Sequence, residues 1–102
     1  MTATVDGSHA QVELHGELSL FTIERVRRAL FELKHHGVRK LYVDLGGLTL
    51  LDTSGVALLL SIRHHAVRDG WRVTMAAPPD PLQRRIERLG LTERLPFVGA
   101  AS

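Results

Sequence analysis

The periodicity of the chain predicts an α/β fold, a mixed β-sheet with α-helices packed mainly on one face. Two observations carry that prediction. Segments in which every second residue is apolar, the period of a strand with one buried face, alternate along the chain with segments whose apolar residues recur every three or four positions, the period of an amphipathic helix. Glycines stand where each helical period stops, at Gly37, Gly70 and Gly90, as C-terminal caps do.

Val12, Leu14 and Leu18 alternate with polar residues and read as the first strand. Ile23, Val26, Leu30 and Leu33 then fall at helical spacing, with Glu24, Arg25, Arg27, Arg28 and Glu32 between them. Ser19 or Thr22 is placed to cap this helix. Lys34, His35 and His36 suit its C-terminus, where the helix dipole is negative. Leu41, Val43 and Leu45 form the next strand. A second helix runs from about Ser54 to Asp69. Its first two turns are apolar nearly all round, which predicts burial at that end, whereas Arg63, His64, His65 and Arg68 keep the far end in water. Trp71, Val73 and Met75 alternate as another strand. Pro78-Pro79-Asp80-Pro81 is a loop with a proline placed for a helix start. Leu82, Ile86 and Leu89 stripe a short third helix, and Gly90-Leu91 reads as its C-cap with a hydrophobic contact. Phe97-Val98 reads as a last short strand.

Composition bounds what this fold can do. The 102 residues suffice for one domain, 1–102, with one modest core, and repeats, low-complexity tracts and linkers are absent. No cysteine is present, which excludes disulfides, zinc–thiolate sites and redox pairs. The start, Met1 to Asp6, has neither a basic segment nor an apolar core, so it does not read as a signal peptide. No apolar run reaches membrane-spanning length. A net charge of +2 is too small to imply a nucleic-acid partner by itself. Arginine outnumbers lysine and lies largely on the helical segments, as on a solvated face or a patch for an acidic partner.

The chemically informative segment is Asp52-Thr53-Ser54-Gly55, at the junction between a strand and the second helix. Asp, Thr and Ser all cap helix N-termini, because their oxygens accept from backbone N–H groups left unpaired there. One cap needs only one of them. A surplus hydroxyl at this place sits where backbone donors and the helix dipole favour negative charge, a good site to add a phosphate and to remove it. The commoner role of a serine before a helix is a cap alone. Asp52 caps the helix or orients the Ser54 hydroxyl, and Gly55 lets backbone approach closely. Asp44, at a strand end, can accept N–H groups of the loop.

Gly16-Glu17-Leu18 after the first strand, and the run Asp44-Leu45-Gly46-Gly47-Leu48-Thr49-Leu50-Leu51-Asp52-Thr53-Ser54-Gly55, together resemble the STAS family, the sulfate transporter and anti-sigma factor antagonist domains. The resemblance covers nearly the whole chain. It implies the same mixed-sheet architecture, and at this size it looks most like a free-standing anti-sigma factor antagonist. It implies Ser54 as phosphoacceptor, being the second hydroxyl of the motif, with Thr53 as the alternative. Ser19, Asp44, Asp52, Thr53, Gly55 and Val56 would form the phosphoacceptor loop and the partner-binding surface. The implied logic is a cytoplasmic, bacterial partner switch without catalytic activity, cofactor or metal of its own. The unmodified form binds an anti-sigma factor that is itself a serine kinase, which frees a sigma factor for transcription. The kinase phosphorylates Ser54 with its own ATP and magnesium, and a phosphatase resets the switch, with no direct contact to nucleic acid or membrane. Two departures stand out. The family usually has aspartate where this chain has Ser19, and usually a further C-terminal helix for which the last residues are too few. Two other readings remain: a STAS subunit of a stressosome-like or lipid-transport complex, and a nucleotide- or anion-binding module.

Other chemistries fit the residues less well. Leu-Leu-Asp-Thr resembles the active-site entry of aspartic proteases, but Ser54 occupies the position where they need glycine, and a helix follows. A serine hydrolase elbow needs a glycine two residues before the serine, which Asp52 occupies. His35-His36 and His64-His65 are adjacent pairs that point to different sides of a helix, not compact metal sites. Gly46-Gly47 lacks the following lysine of a phosphate-binding loop.

Overall fold

The computed structural model describes residues 1–98. It contains four strands, β1 (Thr2–Asp6), β2 (His9–Leu18), β3 (Lys40–Leu51) and β4 (Arg72–Ala76), and three helices, α1 (Ile23–His35), α2 (Thr53–Asp69) and α3 (Asp80–Arg88). The sheet has the order β1-β2-β3-β4. β1 and β2 form an antiparallel hairpin, and the pairs β2–β3 and β3–β4 are parallel. The expected mixed sheet is therefore present.

Two consecutive strand–helix–strand units step across the sheet in one direction, through α1 and then α2. Crossovers of this kind are right-handed, so both helices fall on the same face. Burial agrees: Ala10, Val12 and Leu14 of β2 and Leu41, Val43 and Leu45 of β3 are buried, while their neighbours Gln11 and Tyr42 are exposed. The core joins these strands to Val26 and Leu30 of α1, to Val56, Leu58 and Leu59 of α2, and to Met75, Ile86 and Leu95. Gly70 closes α2 at φ 77°, with the Trp71 N–H donating to the Ala66 carbonyl at 2.8 Å.

The structure differs from the sequence reading in several places. β1 was not expected. All five of its residues are exposed at the sheet edge, so it lacks the apolar alternation that marks a half-buried strand. β3 does not end at Leu45 but continues to Leu51. Its register against β2 slips by one residue twice, between Glu13 and His15 and between Gly16 and Glu17. Each bulge inserts one extra residue, which resets the buried positions from Leu45 to Leu48 to Leu51 and hides the strand period. Leu89 lies outside α3 and is exposed, so Leu82 and Ile86 alone carry that stripe. Phe97-Val98 contributes one parallel bridge, Val98 to Ala76, and not a strand. The expectation that the chain is too short for a further helix falls partly on residues 99–102, outside the described residues.

Candidate functional site

The site is built at one end of the sheet, where β2 and β3 finish side by side at the paired residues Leu18 and Leu51. β2 leaves into the loop 19–22, and β3 leaves into α2 through Asp52. Asp52 is the N-cap of α2, with extended backbone. One carboxylate oxygen accepts from the Gly55 N–H at 2.9 Å, and the other accepts from the Leu20 N–H at 2.9 Å. A single side chain thus closes the helix end and pins the neighbouring loop. These donors hold the Asp52 carboxyl below its ordinary range. The Leu20 N–H contributes most, followed by the N–H groups of Gly55 and Ser54, with a smaller attraction from Arg85 of α3. Both carboxylate oxygens are engaged by backbone, so capping, and not orientation of the Ser54 hydroxyl, describes Asp52.

Thr53 and Ser54 are the first two residues of α2; Thr53 is exposed and Ser54 half-buried. Among the described residues neither hydroxyl takes part in a side-chain hydrogen bond, while the capping role is filled by Asp52. Gly55 and Val56 are buried. A Cβ at Gly55 would stand 2.2 Å from the Leu18 carbonyl oxygen and 2.8 Å from Leu51 Cδ1. The close approach that Gly55 permits is therefore to the chain's own β2 end. It locks the helix start onto the sheet and is not left open for a partner.

Ser19 is 2% exposed and is woven into the loop. Its hydroxyl donates to the Glu17 carboxylate and accepts from the Phe21 N–H at 3.2 Å. Its carbonyl accepts from the N–H groups of Thr22 and Ile23, both at 2.9 Å. Neither Ser19 nor Thr22 caps α1 by its side chain. Thr22 holds the N-cap position, but its hydroxyl faces back into the loop, accepting from the Ser19 N–H at 3.0 Å and donating to the Glu17 carbonyl at 2.9 Å. Asp44 accepts from the Gly46 N–H at 2.8 Å at the first bulge of β3. It supports β3 and makes no recorded contact with Ser54.

The sequence places the whole segment 16–22 at the partner-facing tip without distinguishing Leu20 and Phe21 within it. They are 64% and 89% exposed on the pinned loop, and Leu50 is exposed near the end of β3. Two large apolar residues held in water by a loop that is tied down at Asp52 and at Ser19 are what a docking surface looks like before it is covered. The available signal was their position: apolar residues between the end of one period, at Leu18, and the start of the next, at Ile23. Among the described residues no three or more His, Asp or Glu side chains gather to hold a metal, and no helix is long and apolar enough to cross a membrane.

Residues 1–99 match a family model described as "Mlab, STAS domain". The anti-sigma-B factor antagonist of Staphylococcus aureus (strain NCTC 8325 / PS 47) is 22% identical over 90 residues, 88% of this chain and 83% of that protein. The fold is similar to that of the anti-sigma factor antagonist SpoIIAA in its unphosphorylated form, with a TM-score of 0.75 and 20% identity over 90% of this chain and 82% of that one. It is also similar to the Bacillus cell fate determinant SpoIIAA in the phosphorylated form, with a TM-score of 0.70 and 20% identity over 90% of this chain and 85% of that one.

Proposed function

The chain belongs to the STAS domain family, and from that premise we propose that it is an anti-sigma factor antagonist whose partner binding is switched by phosphorylation of Ser54. The observation that carries the reading is the division of labour at the start of α2. Asp52 does the capping through its contact with the Gly55 N–H, which leaves the Ser54 hydroxyl at the second helical position without a structural task.

The chemistry follows from charge. A phosphate on Ser54 adds about −1.5 to −2 charges beside backbone donors that favour an anion, so the isolated domain tolerates it. Beside this helix start stands the loop of exposed Leu20 and Phe21, tied to Asp52 through the Leu20 N–H, and the exposed Leu50 lies two residues before Asp52 in the chain. A partner that covers these residues must exclude water from them, and a phosphate in that interface resists desolvation and opposes binding. The unmodified form therefore holds the anti-sigma factor, a serine kinase, and a sigma factor is released. The kinase phosphorylates Ser54 and is let go, and a phosphatase restores the first state. Thr53, Ser54, Asp52 and Val56, with the loop of Ser19 and the β3 end supported by Asp44, make up the contact region. The domain acts by binding in the cytoplasm, with no catalysis, cofactor or nucleic-acid contact of its own. The S. aureus relative, named as an anti-sigma-B factor antagonist, supports this reading.

A second reading is a STAS subunit of a larger stressosome-like or lipid-transport assembly. The observation that favours it is the apolar pair Leu20 and Phe21, which serves any protein partner with or without a phosphate. Incubation with the cognate anti-sigma kinase and ATP separates the two. The switch reading expects one phosphate on Ser54 by mass spectrometry and loss of the complex. An authenticated binding partner that leaves Ser54 unmodified would favour the assembly reading.

A further inference from the structure

α1 and α2 lie side by side on the sheet, yet they leave a cleft of about 250 Å³ between them. Its walls are Leu30 and Phe31 of α1 and Leu58 and Ile62 of α2. Trp71 and Leu41 of β3 also line it, and Leu41 is 1% exposed, so the floor of the cleft is closed over the sheet. At about 30 Å³ per water in the liquid, this is room for roughly eight waters, or for a ligand of comparable bulk. Phe31, at the rim, is 65% exposed and stacks on His35, with ring centres 6.5 Å apart.

Basic side chains also line the cleft: Arg27 and Lys34, one on each side of Phe31 along α1, and His65 of α2, with no acidic side chain among the described residues that line it. The Lys34 ammonium stands 5.4 Å from the centre of the Trp71 ring and is paired with Asp69. Arg27 is paired with Glu24. The Arg27 pair is exposed and the Lys34 pair partly so, and an ammonium has three N–H donors and a guanidinium five, so each cation can take a further anion. His65 Nδ1 lies 2.7 Å from the Ser61 carbonyl, which occupies that nitrogen and leaves Nε2 as the ring's other polar atom.

An apolar interior with a few polar groups at the mouth is the usual form of a small-molecule site. We propose that the cleft between α1 and α2 binds a small amphipathic anion, an alkyl or aryl carboxylate of medium length. Its apolar body lies on Leu30, Phe31, Leu58, Ile62 and Trp71, and its carboxylate meets Lys34 and Arg27. None of these residues belongs to the Ser54 surface, so the proposal stands or falls independently of the partner switch.

Trp71 is the only tryptophan of the chain and therefore reports on the cleft by its own emission. The probe is octanoate, with octanol as its uncharged counterpart, followed by Trp71 fluorescence and by calorimetry. The expected result is saturable octanoate binding with a dissociation constant below about 1 mM, and octanol at least about tenfold weaker. Ser61→Leu, which places an apolar side chain in the cleft, should abolish the site. Lys34→Gln, which costs the Asp69 pair and the contact with the Trp71 ring, should weaken octanoate by about tenfold while the melting temperature falls by no more than about five degrees. The absence of saturable binding by both methods up to about 5 mM would overturn the proposal. So would octanol binding as tightly as octanoate, or a folded Ser61→Leu variant that binds like the parent.

Discussion

At the scale of single residues, the junction at Asp52 and Gly55 is where sequence and geometry are tightest. Gly55 is helical, so its lack of a Cβ matters for space and not for backbone conformation; the Leu18 carbonyl oxygen would lie 2.2 Å from any side chain there. A backbone carbonyl cannot rotate away as a flexible side chain can. Gly55→Ala should therefore cost about 3 kcal/mol, the upper end of overpacking penalties, and lower the melting temperature by more than about 10 °C. Asp52 predicts a pH signature. Its folded pKa lies below the ordinary 3.8, chiefly through the Leu20 N–H, so the carboxylate contributes stability above that value. The contribution is lost as pH falls below 3.8 through the folded pKa. Denaturant titrations of the parent and Asp52→Asn should differ by a constant amount above about pH 5 and converge in stronger acid. A difference that persists unchanged below that range would show that the charge is not what matters. The sequence made Asp52 legible as a cap, because its chemistry is local. It did not show that Ser19 is buried, since that depends on Glu17 and Phe21 closing around its hydroxyl.

At the scale of elements, regular periods were legible and their interruptions were not. α1, α2 and β4 lie close to where the apolar spacing puts them, because the period of each runs without interruption. β3 hid its second half because two bulges change its buried spacing from two residues to three. Those same bulges carry β3 to Leu51 and deliver Asp52 beside the end of β2, so the irregular part of the strand is what positions the site. The loop 19–22 is the other irregular element, and its apolar tip predicts the interface. Phe21 is nearly fully exposed, and removing its ring should leave the fold alone. Phe21→Ala should keep the melting temperature within about two degrees, as for surface changes in general. It should weaken the anti-sigma factor complex by about 2 kcal/mol or more, as a buried aromatic anchor does. Calorimetric titration of the partner checks this, and unchanged affinity would remove the loop from the interface.

At the scale of the whole molecule, the proposed switch asks one domain to carry two charge states without refolding. The core joins all three helices to one face of the sheet, and Ser54 lies at its edge, half-buried, on a helix end that is already capped. A charge added there changes the surface and leaves the packing intact. Ser54→Ala should therefore melt within a few degrees of the parent, because Asp52 supplies the cap that serine would otherwise provide. It should bind the anti-sigma factor constitutively, with no release on addition of ATP. Ser54→Glu places about half a phosphate's charge at the second helical position, where the dipole tolerates it. Its fold should likewise be retained, while the apolar surface of Leu20, Phe21 and Leu50 meets the partner with a carboxylate in its midst. Binding should fall by at least about 1.4 kcal/mol, or tenfold, and by less than full phosphorylation brings. The measurement is the affinity of parent, Ala and Glu proteins for one authenticated anti-sigma factor, with melting curves alongside. Equal affinities across the three would mean that Ser54 sits at the helix start without acting as a switch, and the partner would then be recognised through the loop 19–22 alone.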